Sequence, residues 1–406
     1  MSSVSVYYFS EFLASSAFNS FISLFYRARG MSMGRLSLLM AAAPLTAFLA
    51  LPLWGTLCDR AGKRNTVHIT VIFGASLSVL LFDPADTFGK LLWVSCLFAF
   101  FSTVITPLGE TVALSYLHHR RLPFGPCRLY GALAYALGGL VLGILLEGRE
   151  ARFVPICSIA YALCAVAAMS LPTIHRQTPA RPAKKTLTYD GLKHARTTVA
   201  PHAPKLIDLR RTSYGFLLEH QFLPLLLFSL CIQVTQGIFY TFYAPYLTDV
   251  LGASRRTVGY AVALGALCEI PFLRFGDKIL HRLGTPFLLL LSAITMALHW
   301  LLLGLFPHRF VGIALQIFSI SGTTAAAFAM AKHVSRYTPA AHKARAQTLL
   351  YLITYACART IGSLFGGFLH FLTNSLPAVF VISGIALLVC CAVFAKAILL
   401  HSSLRR

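Results

Sequence analysis

Gly55-Thr-Leu-Cys-Asp-Arg-Ala-Gly-Lys-Arg-Asn65 lies between two apolar runs and places an acid, three bases and two glycines within eleven residues. The surrounding chain is otherwise sparing with charge: of 406 residues, 12% are charged and 57% apolar, whereas an ordinary soluble domain is roughly 25% charged. A soluble core cannot hide such a surplus. A bilayer can, because about 20 consecutive apolar residues cross its hydrocarbon as a helix.

Working outward from that stretch, twelve helix-length apolar runs emerge, near residues 5–26, 35–57, 67–83, 91–117, 125–147, 153–171, 222–248, 258–275, 286–305, 310–331, 346–372 and 377–398. The long interruption, 172–221, contains Pro172, Pro179, Pro182, Pro201 and Pro204 and nine Lys or Arg against three Asp or Glu, a composition suited to a surface linker. The expected organisation is an N-terminal six-helix bundle (1–171), a basic linker (172–221) and a C-terminal six-helix bundle (222–406). The fold class is an all-α membrane protein.

A net charge of +22 would suggest a nucleic-acid partner in a soluble protein. Here most of the 35 Lys and Arg fall in the even-numbered loops and the C-terminus, the pattern of cytoplasmic loops. Both termini are therefore expected in the cytoplasm, with lipid and not nucleic acid as the surroundings. The ten cysteines lie almost all in apolar runs without a Cys-x-x-Cys pair or His at ligand spacing, so they read as packing residues, and no metal site is expected. The first 25 residues lack a basic leader and carry Glu11, as befits a first membrane helix.

The chain also repeats itself. Gly30 and Gly252 stand 222 residues apart, as do Arg60-x-Gly62 and Arg282-x-Gly284, and the same offset sets Glu11 against Gln233. Pseudo-symmetric halves are the architecture of many transporters, and alternating access gives the opening stretch a purpose. Gly55 permits close backbone approach. Asp59 can accept from a helix N-terminus or pair with a base, and Arg60, Lys63 and Arg64 can clamp carboxylates or helix C-termini beside Gly62.

The pattern Gly-x-Leu-x-Asp-Arg-x-Gly-Lys-Arg between the second and third runs resembles the signature of the major facilitator superfamily; the second copy, His281-Arg-Leu-Gly284, keeps the Arg and Gly. This implies two six-helix bundles rocking around a central cavity. Pro107-Leu-Gly-Glu110 with Arg128-Leu-Tyr-Gly131, Gly259 and Gly265 with Glu269, and Arg345-Ala-Gln347 are similar to the branch containing phenylpropionate permeases, lactose permease and nucleoside–proton symporters. The resemblance implies that Glu110 and Arg128 grip solute, as their counterparts grip sugar hydroxyls. The tenth run, Gln316-Ile-Phe-Ser-Ile-Ser-Gly-Thr-Thr324, lacks the His and Glu through which lactose permease couples to protons.

Ionisable groups inside a membrane cost about 2.5–3.5 kcal/mol each on insertion scales and are functional candidates by default. Four stand out: Glu11, Glu110, Glu269 and Arg359. Glu11, Ser15, Asn19 and Ser23 form a line at i+4 spacing, matched on the seventh run by Gln233, Gln236, Tyr240 and Tyr243; both lines are expected to line a cavity. Glu110, Arg128, Glu269, Arg359, Asn19, Gln233, Gln236 and Tyr240 are the candidate solute contacts. Glu269, Glu110 and Glu11 are the candidate proton carriers, and Arg359 is expected either to pair with a glutamate or to face an anionic solute. His299 reads as a packing residue.

The resulting expectation is a secondary active transporter, a monomer without cofactor, moving a sugar, nucleoside or aromatic carboxylate with a proton across a bacterial inner membrane. No Gly-x-x-x-x-Gly-Lys-Ser/Thr loop is present to use ATP. A transporter-derived solute sensor is one alternative. Another is a membrane transferase using His118 and His119, but no acid, Cys or Ser stands beside them as nucleophile and orienting partner.

Overall fold

The structure, a computed structural model, describes residues 3–61, 64–119, 125–171, 222–338 and 343–403. Among these the regular elements are all helical. The first half comprises α1 (Ser3–Ala28), α2 (Met33–Arg60), α3 (Arg64–Leu80), α4 (Phe88–Ser102), α5 (Ile105–His119), α6 (Gly125–Leu145), a 3₁₀ turn (Glu150–Arg152) and α7 (Phe153–Met169). The second comprises α8 (Phe222–Pro245) with a π-helical turn (Tyr246–Val250), α9 (Arg255–Leu305), α10 (Arg309–Ala314), α11 (Gln316–Tyr337), α12 (Lys343–Tyr351) with a π-helical stretch (Leu352–Cys357), α13 (Ala358–Thr373) and α14 (Leu376–Ser403). All twelve apolar runs fall on these helices. Large apolar side chains stand open on the outside, among them Phe371 (79% exposed), Leu49 (74%) and Val393 (65%). The chain is an integral, multi-pass membrane protein, and hydrocarbon covers this surface.

Four elements differ from the expected runs, the tenth being two helices, α10 and α11, divided at Leu315. The fourth run is two helices, because Thr103 and Val104 form a turn. Pro107 has no N–H to give the Thr103 carbonyl, so the ladder restarts with Leu108 donating to Val104. The eighth and ninth runs join in the 51-residue α9, which at 1.5 Å per residue reaches about 76 Å, more than twice the hydrocarbon thickness of about 30 Å. It is two crossings, turned at Gly284, whose φ of 74° and ψ of 163° suit only glycine. Arg274, Asp277, Lys278 and Arg282 ended the apolar run early, but the helix continues through them to that glycine. The eleventh run is interrupted by the π-helical stretch just before Arg359.

The loops after α1 and after the π turn of α8 meet at one end of the halves, the distal end; the opposite end, where Arg60 closes α2, is the terminal end. The halves meet along α1 with α8, α2 with α13, and α6 with α9. Small residues permit these crossings. A Cβ on Gly259 would lie 2.6 Å from the Gly139 carbonyl oxygen, and one on Gly143 would lie 2.9 Å from that of Arg255. In the opposite crossing Gly367 lies against Ser37, and Thr360 Oγ1 donates to Ala41 O at 3.4 Å.

The 222-residue register carries Ser37 onto Gly259 and places Gly367 two residues from the equivalent of Gly143, so the crossings are copies of one another. Gly30 and Gly252, at φ 77° and 60°, turn the chain at matching points. At the distal end Arg27 Nε donates to Asp249 Oδ2 at 2.8 Å. These positions are themselves 222 apart, and a contact between equivalent positions lies on the pseudo-two-fold axis. Glu150 bonds Arg255, and Glu147 Oε2 accepts from the backbone N–H of Arg256 at 3.1 Å, in the first turn of α9 where a helix favours negative charge.

Candidate functional site

A cavity opens between the halves at mid-depth. Its second-half wall is Gly237 and Tyr240 of α8, Tyr355 of the π stretch, and Arg359 and Ser363 of α13; its first-half wall includes Phe18, Asn19 and Ile22 of α1, Leu39, Met40 and Pro44 of α2, and Phe98, Ser102 and Thr103 of α4 and its end. Tight packing of α8 on α13 aims the polar residues inward. A Cβ on Gly237 would lie 2.6 Å from the Arg359 carbonyl oxygen, and Gly362 sits against the Val234 carbonyl, so these backbones touch and their side chains turn to the cavity.

Arg359 is held by rings. Its guanidinium carbon lies 4.0 Å from the Tyr240 centroid and 4.2 Å from that of Tyr355, and Tyr355 stacks on Tyr351 at 4.8 Å. Each cation–π contact contributes about 0.5–2 kcal/mol, more where water is excluded. Tyr351, Tyr355 and Arg359 are four apart, and the π stretch between them keeps them in one column. Among the described residues no carboxylate lies within ion-pair distance of Arg359. Tyr351 is in electrostatic reach of both Arg359 and Glu110, and Tyr135 of α6 is in reach of Tyr240, Arg359 and Glu269.

Glu269 accepts from Thr324 Oγ1 of α11 at 2.7 Å, a different partner from the arginine weighed in the sequence. Helix α9 runs on through Pro271; among its residues only Gly284 leaves helical φ and ψ.

The two polar lines do not stay on one face. Asn19 and Tyr240 line the cavity. Glu11 is buried (2% exposed) inside the first half, in reach of Tyr7, Tyr161 and Cys164, while His68 of α3 meets the Tyr7 ring edge-on at 5.2 Å. Tyr243 turns to α10 and donates to Gly312 O at 3.0 Å. In the first line each i+4 step overshoots a turn by roughly 40°, so three steps carry it about 120° around the helix, and in the second the i+3 step from Tyr240 to Tyr243 falls about 60° short of a turn. Gln236 is buried and Gln233 half-buried. His299 Nδ1 lies 2.8 Å from Leu315 O, a link between the second limb of α9 and the start of α11.

At the terminal end, Arg60 closes α2 and is exposed, and a Cβ on Gly55 would touch nothing within 4 Å. The close approach expected at Gly55 is therefore not made in this arrangement, because the halves here meet at their distal ends. Gly62 and Lys63 and the side chains of Asp59, Arg64, His118, His119, Arg128 and Arg345 lie outside the described residues; the Arg128 backbone is in the first turn of α6. Sequence reasoning missed Tyr135, Thr324, Tyr351 and Tyr355. The tyrosines at i−4 and i−8 from Arg359 were the readable signal.

Two pseudo-symmetric helical halves around a polar, membrane-buried centre define a membrane transporter, not an enzyme. The model of the MFS_1-like family matches residues 1–382, and the chain belongs to that family. It is 26% identical over 297 residues to the maltose permease of Geobacillus stearothermophilus, covering 73% of this chain and 69% of that protein. It is 24% identical over 370 residues to the probable 3-phenylpropionic acid transporter of Escherichia coli (strain K12), covering 89% of each. The crystal structure of the nucleoside transporter NupG superposes with a TM-score of 0.77 at 13% identity, over 97% of this chain and 98% of that one. That last likeness is one of fold.

Proposed function

We propose that the protein is a proton-coupled symporter that carries a small polar organic solute by alternating access. Its place is the bacterial inner membrane, with both termini cytoplasmic and the monomer as the working unit. The observation that carries this reading is the half-buried Arg359 held by Tyr240 and Tyr355 on a cavity between halves whose distal ends are shut. An uncompensated cation at that depth is costly unless a ligand meets it. Relatives named for maltose and for 3-phenylpropionic acid bracket the solute size.

In this cycle the distal crossings close one face while the stretch from Gly55 through Asp59, Arg60, Gly62 and Lys63 to Arg64 serves as the gate at the other. Solute contacts are Arg359, Tyr240 and Asn19 on the cavity wall, with Glu269, Glu110, Arg128, Gln233 and Gln236 as the further candidates. Glu269 is the foremost proton carrier, followed by Glu110 and Glu11: a carboxyl that accepts from a threonine hydroxyl in the membrane can take up a proton without losing that partner.

Uptake into liposomes tests the reading with a panel of sugars, nucleosides and aromatic carboxylates under an imposed pH gradient. One class should accumulate against its gradient with acid outside. Glu269→Gln should abolish that accumulation while sparing solute exchange at equal pH. Accumulation unaffected by the gradient would mean a facilitator, and binding without any flux would mean a sensor.

A further inference from the structure

The two walls of the central cavity differ in kind. The first-half wall is mostly Phe18, Ile22, Leu39, Met40, Pro44 and Phe98, and three of its hydroxyls are engaged: Ser95 donates to Leu91 O at 2.5 Å and meets Tyr26 at 2.6 Å, and Thr103 donates to Ala99 O at 2.8 Å, while Ser102 adds one further hydroxyl. Asn19 is its one amide. Such a wall accepts an apolar body and serves the many hydroxyls of a sugar poorly, since unmatched polar groups lose their water.

The opposite wall carries Arg359, the one cationic side chain among the described residues lining the cavity. Tyrosine rings at 4.0 and 4.2 Å leave the cavity as the open approach to its donors. A guanidinium edge fits a planar carboxylate through two parallel bonds.

We infer that the solute is a carboxylate with an apolar, ring-sized body, its carboxylate on Arg359 and its body on the Phe18–Phe98 wall. This rests on the cavity being the solute site of the transporter reading. It leaves the coupling ion open.

The test uses the full-length protein in detergent and four probes: benzoate, phenylacetate and their neutral amides, benzamide and phenylacetamide. The carboxylates should raise the unfolding temperature and the amides should not. Arg359→Gln should weaken phenylacetate about 10- to 100-fold, the range expected for losing hydrogen bonds to a charged partner, and Arg359→Lys, which keeps charge but loses the planar fork, should fall between. Because probe chemistry alone separates carboxylate from amide on the parent protein, the test survives a variant that fails to fold.

Equal shifts from amide and acid, a carboxylate shift that persists in Arg359→Gln, or no shift with either carboxylate would each overturn the inference. The transport reading fails separately: carboxylates that bind through Arg359 yet never cross a liposome membrane sink transport and leave the ligand class standing. Uptake of a neutral sugar indifferent to Arg359→Gln would do the reverse.

Discussion

Replacing Gly259 with valine should unlock the distal end. A Cβ there would lie 2.6 Å from the Gly139 carbonyl oxygen and 3.2 Å from the Gly143 Cα, and both neighbours are backbone within α6, unable to swing aside. Overpacking of this kind costs about 1–3 kcal/mol. The cost falls on the arrangement in which α6 and α9 touch and is relieved when the distal ends part, so it acts as a difference between two states. At tenfold per 1.36 kcal/mol, the distal-open population should rise about 5- to 150-fold. Asn19 lines the cavity beneath that closure, so a cysteine placed there on a cysteine-depleted background reports opening by its rate of reaction with a membrane-impermeant maleimide. Gly34→Val is the control, since a Cβ on Gly34 meets nothing within 4 Å. Unchanged labelling in a folded Gly259→Val protein would refute the reasoning, because the α6–α9 crossing would then not separate the states.

Arg27 and Asp249 occupy equivalent positions, so Arg27→Asp with Asp249→Arg should recover what either single change loses; at 31% and 33% side-chain exposure, a double-mutant cycle in thermal unfolding should give a coupling of about 0.2–1 kcal/mol. Thr324→Val removes the hydroxyl that donates to Glu269 and should lower stability by about 1.5–3 kcal/mol at pH 7, with less loss when Glu269→Gln is added. Outside the membrane, the Lys90 bond holds the Asp86 carboxyl below its usual range. The folded chain thus favours ionised Asp86 at neutral pH, a preference that disappears as pH falls through the depressed value. In Lys90→Gln the carbon-13 carboxyl signal of Asp86 should titrate at higher pH.

The fold was largely legible because its two determinants are written in one dimension. Apolar runs mark the crossings, and Gly30 with Gly252 and Arg60 with Arg282 mark the repeat. What escaped was whatever depends on hydrogen-bond bookkeeping within a helix or on rotation about its axis. Pro107 splits the fourth run three residues upstream of itself. Charged Arg274 to Arg282 continue α9 instead of ending it. An i+4 line of polar residues was treated as a face although it precesses, which separated Glu11 from Asn19. Arg359 was legible as an anomaly, and Tyr355 and Tyr351 as the tyrosines four and eight residues before it; its pairing with Tyr240 of another helix, and the π stretch that aligns the other two, are announced by no local residue type.

The repeat itself shows where function entered. Contacts that hold the halves together survive in both copies: Ser37 on Gly367 and Gly259 on Gly143, and Arg27 on Asp249 across the axis. The polar centre does not survive. At the 222-residue register Arg359 corresponds to Leu137, Tyr355 to Leu133, Glu269 to Ala47 and Tyr240 to Phe18. Symmetry is kept at the distal closure, where two matching crossings flank the axis and one half must seat on the other from both sides. A solute with two unlike ends requires the opposite at the centre, one half supplying charge and the other an apolar seat. If the solute were instead polar all round, Phe18 would be the misplaced residue, and Phe18→Tyr, which restores its repeat partner's hydroxyl, should improve binding. For a carboxylate with an apolar body the same change should weaken binding of phenylacetate while leaving its dependence on Arg359 intact.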